Sequence, residues 1–150
     1  MIPAASPGSN RAAVDPQAGE NEPAYLDFAD ALELYAAIVG ATVEQAADQL
    51  RDRPGLESVL GRPRSYALYE QADLALQAAA LAHGIAESQG FLDGNKRLAL
   101  VAMLTFLEVN GLRVEASDPA LAAWILGLSA GTTPEQLAEL IRAHLRPADG

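Results

Sequence analysis

The amino-acid sequence predicts an all-α fold, a helical bundle built around a central helix pair. Three observations lead there. Apolar residues recur at helical spacing over most of the chain from Tyr25 onward, with no convincing pattern of paired strands. Half of the 150 residues are apolar but only 5% are aromatic, so alanine and leucine do most of the packing and favour closely approached helices. Two of the most apolar stretches flank one short polar turn, at residues 89–94, which makes them neighbours in space. A chain of this length can bury roughly 68–70% of its unfolded surface in one domain.

The elements follow in order. Residues 1–23 are rich in Pro, Ala, Gly, Ser and Asn without periodicity and are expected to form a flexible tail, leaving 24–147 as the folded domain. Asp27 precedes a helix carrying Ala31, Leu32, Leu34, Tyr35 and Ile38, and Gly40 ends it. Thr42 is placed as the N-cap of Val43–Leu50, with Gln45 completing a capping box. Pro54-Gly55 breaks the chain before a helical turn at Leu56–Leu60, and Gly61-Arg62-Pro63-Arg64-Ser65 is expected as a loop. Leu68–Ser88 is expected as one long alanine-rich helix, apolar on nearly every face as a buried central element is. Asn95–Asn110 is its partner, closed by Gly111 at the C′ position. Leu112–Ala116 alternates as a short extended stretch. Asp118-Pro119 and Thr133-Pro134-Glu135 start the last two helices, which run to about Leu128 and Leu145.

Composition excludes several function classes. A formal charge of −10 leaves no basic surface for nucleic acid or an acidic membrane. With no cysteine, disulfide scaffolds and Cys-based zinc sites are out. No run reaches the ~20 apolar residues of a membrane span, and Met1-Ile2-Pro3-Ala4-Ala5 lacks a basic leader region. The expectation is a soluble cytoplasmic protein.

Chemistry concentrates in Phe91-Leu92-Asp93-Gly94-Asn95-Lys96-Arg97. Lys96, the chain's single lysine, and Arg97 fall in the first turn of a buried helix, where the macrodipole disfavours cations by a few tenths to about 1 kcal/mol each. A phosphate at that helix N-terminus would resolve the conflict. Gly90 and Gly94 would let backbone approach an anion, Asp93 is a hard oxygen ligand suited to magnesium, and Asn95, Lys96 and Arg97 add donors and charge. Phe91 would anchor the turn. The residues alone equally allow Asp93 to cap the helix, Gly94 to supply an unusual φ, and the cations to be solvated.

The stretch from about Tyr25 to Leu145 resembles the Fic/Doc (fido) family, and within it the Doc, "death on curing", branch. The family signature is His-x-Phe-x-Asp-(Gly/Ala)-Asn-Lys-Arg between two helices, and this chain reads Gln89-Gly90-Phe91-Leu92-Asp93-Gly94-Asn95-Lys96-Arg97. Gly55-Leu56-Glu57-Ser58 with Arg62-Pro63, Leu104 to Gly111, and Glu115-Ala116-Ser117-Asp118 match as well. The resemblance implies a site for ATP or a related nucleoside triphosphate with magnesium. Asp93 would hold the metal, and Gly94, Asn95, Lys96 and Arg97 would cradle phosphates. The resemblance implies phosphoryl (or nucleotidyl) transfer to a hydroxyl of a target protein, and lysine at position 96, where AMP-transferring relatives carry glycine, tilts it toward phosphoryl. It also implies a separate antitoxin that docks a peptide segment on the bundle.

One departure stands out. Gln89 occupies the place of the family's general-base histidine, and an amide cannot take up a proton near pH 7. Loss of a positioned base costs ~10²–10⁴-fold in rate. The chain is therefore an impaired transferase, a binding-only relative, or one in which Gln89 orients a nucleophile, as a glutamine does in some GTPases. His83, six residues earlier, is turned away by the helical period and is expected as an interhelical residue. His144 is expected as a dipole partner at a helix C-terminus. Arg62 and Arg64 either border the groove or sit in a solvated loop. Glu20-Asn21 resembles the end of the family's self-inhibitory helix, but Pro16 and Gly19 oppose that helix, so no self-inhibition is expected.

Overall fold

The computed structural model describes residues 22–149. Apart from Glu22 and Pro23, the expected tail lies outside the described residues, and so does the segment from Pro16 to Asn21. The described chain is helical throughout but for one small sheet, in the order α1 (Phe28–Val39), α2 (Val43–Ala47), α3 (Arg53–Leu60), α4 (Arg62–Tyr69), α5 (Leu74–Ser88), α6 (Asn95–Val109), β1 (Leu112–Val114), α7 (Asp118–Ser129), α8 (Pro134–Ala143) and β2 (Leu145–Pro147). The all-α bundle predicted from the sequence is the fold observed.

Helix α5 is the axis. It packs most extensively on α6, and α8, α4, α3 and α7 surround the pair. Its buried positions are mostly alanine, with Gly84 among them, and small side chains let neighbours come close. At Gly84 a Cβ would stand 2.5 Å from the Val59 side chain of α3, so that crossing requires glycine. The buried polar residue of α5, Gln77, is fully engaged: the Tyr25 hydroxyl donates to its Oε1 at 2.9 Å and its Nε2 donates to the Ala72 carbonyl at 3.0 Å.

Most helix ends follow their capping chemistry. Asp27, Thr42 and Thr133 each form a reciprocal capping box, and Gly40 ends α1 in the left-handed region. The structure corrects the sequence reading at four places. Pro54 and Pro63 do not interrupt the chain; each occupies the first turn of a helix, where a missing N–H is no loss, so residues 61–65 are the junction and start of α4 rather than a loop. The long helix begins at Leu74, not Leu68. The Tyr66 carbonyl accepts both Glu70 N–H and Ala72 N–H, Gln71 takes φ 53°, and Asp73 then caps α5 through Leu76 N–H at 2.9 Å. Helix α2 stops at Ala47, because Leu50 is drawn into an antiparallel bridge with Phe91. Finally, β1 pairs antiparallel with β2, Arg113 opposite Arg146, and ties the C-terminal segment back to the exit of α6.

Candidate functional site

The turn between α5 and α6 is fixed from three sides. Phe91 is fully buried, its ring stacked on Tyr35 of α1 at a centroid distance of 3.7 Å and 5° between planes. The Tyr35 hydroxyl donates to the Asp93 carbonyl at 2.9 Å. Burial, and then the Asp93 charge, raise the Tyr35 pKa against a smaller opposing effect of Arg97, so this phenol stays a donor. From the second side, Asn95 folds its carboxamide back: Phe91 N–H donates to Oδ1 at 3.0 Å, and Nδ2 donates to the Phe91 carbonyl at 2.9 Å. From the third side the α2–α3 connection pairs with the turn. Leu92 N–H donates to the Gln49 carbonyl at 2.9 Å, while the Arg51 and Asp52 N–H groups share the Gly90 carbonyl at 2.7 and 3.0 Å. A Cβ at Gly90 would lie 3.0 Å from the Leu56 Cβ, so glycine permits this approach.

What the turn presents outward is an uncapped helix N-terminus. Gly94, at φ 81°, is the N-cap of α6 and no side chain caps the helix. The first helical bond is Leu98 N–H to the Gly94 carbonyl at 3.0 Å, which leaves the N–H groups of Asn95, Lys96 and Arg97 without a partner among the described residues. Asp93 bonds the Gly94 N–H at 2.8 Å through one carboxylate oxygen, so it braces the turn rather than capping the first helical turn. Asp93, Lys96 and Arg97 are exposed, and neither cation has an ion-pair partner among the described residues.

Asp93, Gly94, Asn95, Lys96 and Arg97 thus share one turn, with Gln89 at its other end. The carboxamide of Asn95 is committed to Phe91, so the group it can offer an anion is its main-chain N–H. Gln89 ends α5 in the left-handed region, φ 50° and ψ 51°, and its Oε1 accepts from Arg51 Nη1 at 3.0 Å. An open hollow of about 500 Å³ lies beside Asp93, lined also by Tyr35, Val39, Ala41, Gln45, Asp48 and Gln49.

A metal held by protein alone finds no support: no group of three or more His, Asp or Glu side chains converges among the described residues. The donors do fit magnesium carried by a nucleotide, which takes one or two carboxylates and completes its shell with phosphate oxygens and water.

The histidines stand apart from the turn. The His83 Nδ1 is 3.5 Å from Glu87 Oε1 on the same helix. His144 caps α8, its Nδ1 2.8 Å from the Leu140 carbonyl and its ring against Trp124. Arg62 packs along Gly84, while Arg64 is exposed, lying over the Tyr25 ring at 4.7 Å and 3.8 Å from Glu22 Oε1. Tyr35 and Arg51 are the site residues that sequence reasoning did not single out. Their contacts span 58 and 38 residues of chain, and nothing local marks them.

Known proteins are similar to this chain over most of its described helices. The family model described as the Fic/DOC family matches residues 25–107. A similar curated protein is "Toxin Doc" of Mycolicibacterium smegmatis, 33% identical over 94 residues, which cover 61% of this chain and 68% of that protein. The family-model match takes in α1 to α5, the whole turn and α6 as far as Leu107. The chain belongs to the Fic/DOC family.

Proposed function

We propose that this chain is a Doc-like, toxin-type domain that binds ATP, or another nucleoside triphosphate, with magnesium at the start of α6. The same site is built to move a phosphoryl (or nucleotidyl) group to a hydroxyl of a target protein. The observation that carries the reading is the open N-terminus of α6. Three main-chain N–H groups without partners among the described residues lie beside Lys96 and Arg97, next to the Asp93 carboxylate. Polyphosphate bound there would gain the helix dipole, two side-chain cations and three donors together. Asp93 would hold the magnesium, which would supply charge neutralisation at the transferred phosphate. Lys96 favours phosphoryl over nucleotidyl transfer.

The chain lacks the proton acceptor this chemistry uses. Gln89 stands where the family places its histidine, and its amide oxygen accepts from Arg51. Transfer is therefore slowed, by about 10²–10⁴-fold if base catalysis alone is lost. The partners that fit are a target protein and a separate antitoxin, in the cytoplasm. Nucleic acid is disfavoured by the charge of −10, and no helix among the described residues is long and apolar enough to cross a membrane. The Arg51–Gln89 contact also favours a second reading, a non-catalytic module that keeps the site to bind a nucleotide or an antitoxin.

Labelled ATP with a cell extract separates the two. Gln89→His should transfer label to protein where the unaltered chain transfers little, and Asp93→Ala in the reverted form should abolish it. No transfer by Gln89→His, with binding of magnesium–ATP retained, would leave the binding module as the function.

A further inference from the structure

The hollow beside Asp93 has a chemistry of its own. Its floor is fixed, since Tyr35 is buried, stacks on Phe91 and donates to the Asp93 carbonyl. Val39 and Ala41, at the end of α1 and in the turn after it, bring apolar surface to the walls. Gln45, Asp48 and Gln49 bring polar surface, but the Gln45 Oε1 is already taken by the Thr42 N–H at 2.9 Å. About 500 Å³ is room for a side chain with part of its main chain, well beyond a lone ion. No Lys, Arg or His lines this space, and Asp48 is exposed without an ion-pair partner among the described residues. From Glu22 to Leu50 the sequence carries six acidic residues and no basic one, so α1 and α2 set a negative potential around the hollow. Its surroundings are also apolar. Val39, Val43 and Leu92 are exposed, and the Leu92 N–H bonds the Gln49 carbonyl at 2.9 Å, which places that residue at the hollow's edge.

We propose that the hollow is a recognition subsite for the target protein and takes an arginine or lysine side chain of that protein. An apolar wall beside an unpaired carboxylate suits a group with an aliphatic stem and a cationic head. The head belongs at Asp48, because Asp93 is claimed by the magnesium proposed above, and the stem along Val39 and Ala41. Asp93 lines the hollow and also belongs to the phosphate turn, so the hydroxyl that accepts phosphate lies close to this basic residue in the target. A net charge of −10 favours encounter with such a partner. The role as a substrate subsite rests on the transfer reading above, whereas binding of the basic side chain needs no nucleotide.

The test is amide NMR of the full chain, without nucleotide, titrated with short peptides of alanine, glycine and one threonine. Each peptide carries a single arginine, lysine, glutamine or glutamate at a varied distance from the threonine. The arginine and lysine peptides should shift the signals of Ala41, Asp48 and Gln49, and added salt should weaken them. The glutamine and glutamate peptides should bind about fivefold more weakly or worse. Asp48→Ala should cost the arginine peptide about two- to fivefold, and Asp48→Arg should reverse the preference toward glutamate. Equal affinity for all four peptides, shifts confined to other parts of the chain, or an arginine peptide indifferent to Asp48→Arg would overturn the proposal. Spermidine that binds the hollow as tightly as the arginine peptide would overturn it too, because the site would then serve free polycations. Magnesium–ATP affinity, measured on the same samples, reads the nucleotide site separately. Loss of that affinity with the peptide preference intact would sink the nucleotide reading and leave the basic-residue site standing.

Discussion

Asn95→Ala isolates the role of the Asn95 clasp. Its two bonds to the Phe91 main chain, at 3.0 and 2.9 Å, serve the N–H and C=O of a fully buried residue. Among the described residues no neighbouring main-chain bond replaces them, because those to the α2–α3 connection involve Gly90 and Leu92 rather than Phe91. Leaving a buried polar group unpaired costs about 1–3 kcal/mol. Two such groups, less roughly 0.5 kcal/mol for alanine's better helix propensity, give a net loss of about 1.5–5.5 kcal/mol. With a urea m-value of about 2 kcal/mol/M, the unfolding midpoint should fall by roughly 0.7–2.8 M at unchanged m. The single tryptophan, Trp124, buried on α7, reports the transition. A loss below about 0.5 kcal/mol accompanied by weakened magnesium–ATP binding would refute the reasoning. Asn95 would then be touching phosphate with its side chain, not holding Phe91.

Two other substitutions probe the frame behind the turn. Gly84→Ala puts a Cβ 2.5 Å from Val59 Cγ1, and overpacking of about 1–3 kcal/mol should exceed the ~1 kcal/mol that alanine gains over glycine in a helix. Adding Val59→Ala should return part of that loss, and strict additivity of the two changes in chemical unfolding would contradict the contact. Asp73 caps α5 and bonds Arg142 of α8 at 2.7 Å, and that guanidinium holds its carboxyl below the usual carboxylate range. A depressed folded pKa means that the contribution is present above the unfolded value of about 3.9 and disappears as pH falls through the lower folded one. Both side chains are substantially exposed, so Asp73→Asn should cost only about 0.5–1 kcal/mol at pH 7. The gap should close in acid, and a gap that is the same at every pH would exclude the charge pair.

Local chemistry explains which parts of the fold were readable. Asp27, Thr42, Thr133 and Gly111 carry their own instructions, because a cap or a left-handed glycine is decided within four residues. The errors arose where one residue type has two local meanings. Pro54 and Pro63 could end a segment or start a helix, and Asp52 and Gly61 just upstream decide for starting. The break at 70–73 was hidden because Ala67-Leu68 before it and Leu74-Ala75-Leu76 after it read as one helix, while the feature that stops the helix, a positive φ at Gln71, belongs to a residue that seldom adopts it. In the candidate site, the outward-facing groups at the start of α6 are contiguous and were legible as a motif. Its supports were not. Tyr35, Gln49 and Arg51 reach the turn from distant elements, and a main-chain carbonyl such as that of Gln49 leaves no mark on sequence at all.

The energetics of the turn carry the functional argument further than the motif does. A glycine N-cap in place of a capping side chain costs a helix a few tenths of a kcal/mol, and each cation in the first turn a few tenths to about 1 kcal/mol more. Helix α6 bears all three while forming half of the central pair. Around that weak point the fold concentrates its most rigid devices: a stacked Tyr35–Phe91 pair, a doubly bonded Asn95 and a three-bond link to the α2–α3 connection. Rigid support under an unfavourable end is what preorganisation for an anion requires, because a flexible turn would relax by moving its cations into solvent. Nothing in that logic depends on residue 89. The electrostatic case for binding phosphate therefore stands whatever residue 89 contributes, and binding and transfer must be measured as separate properties.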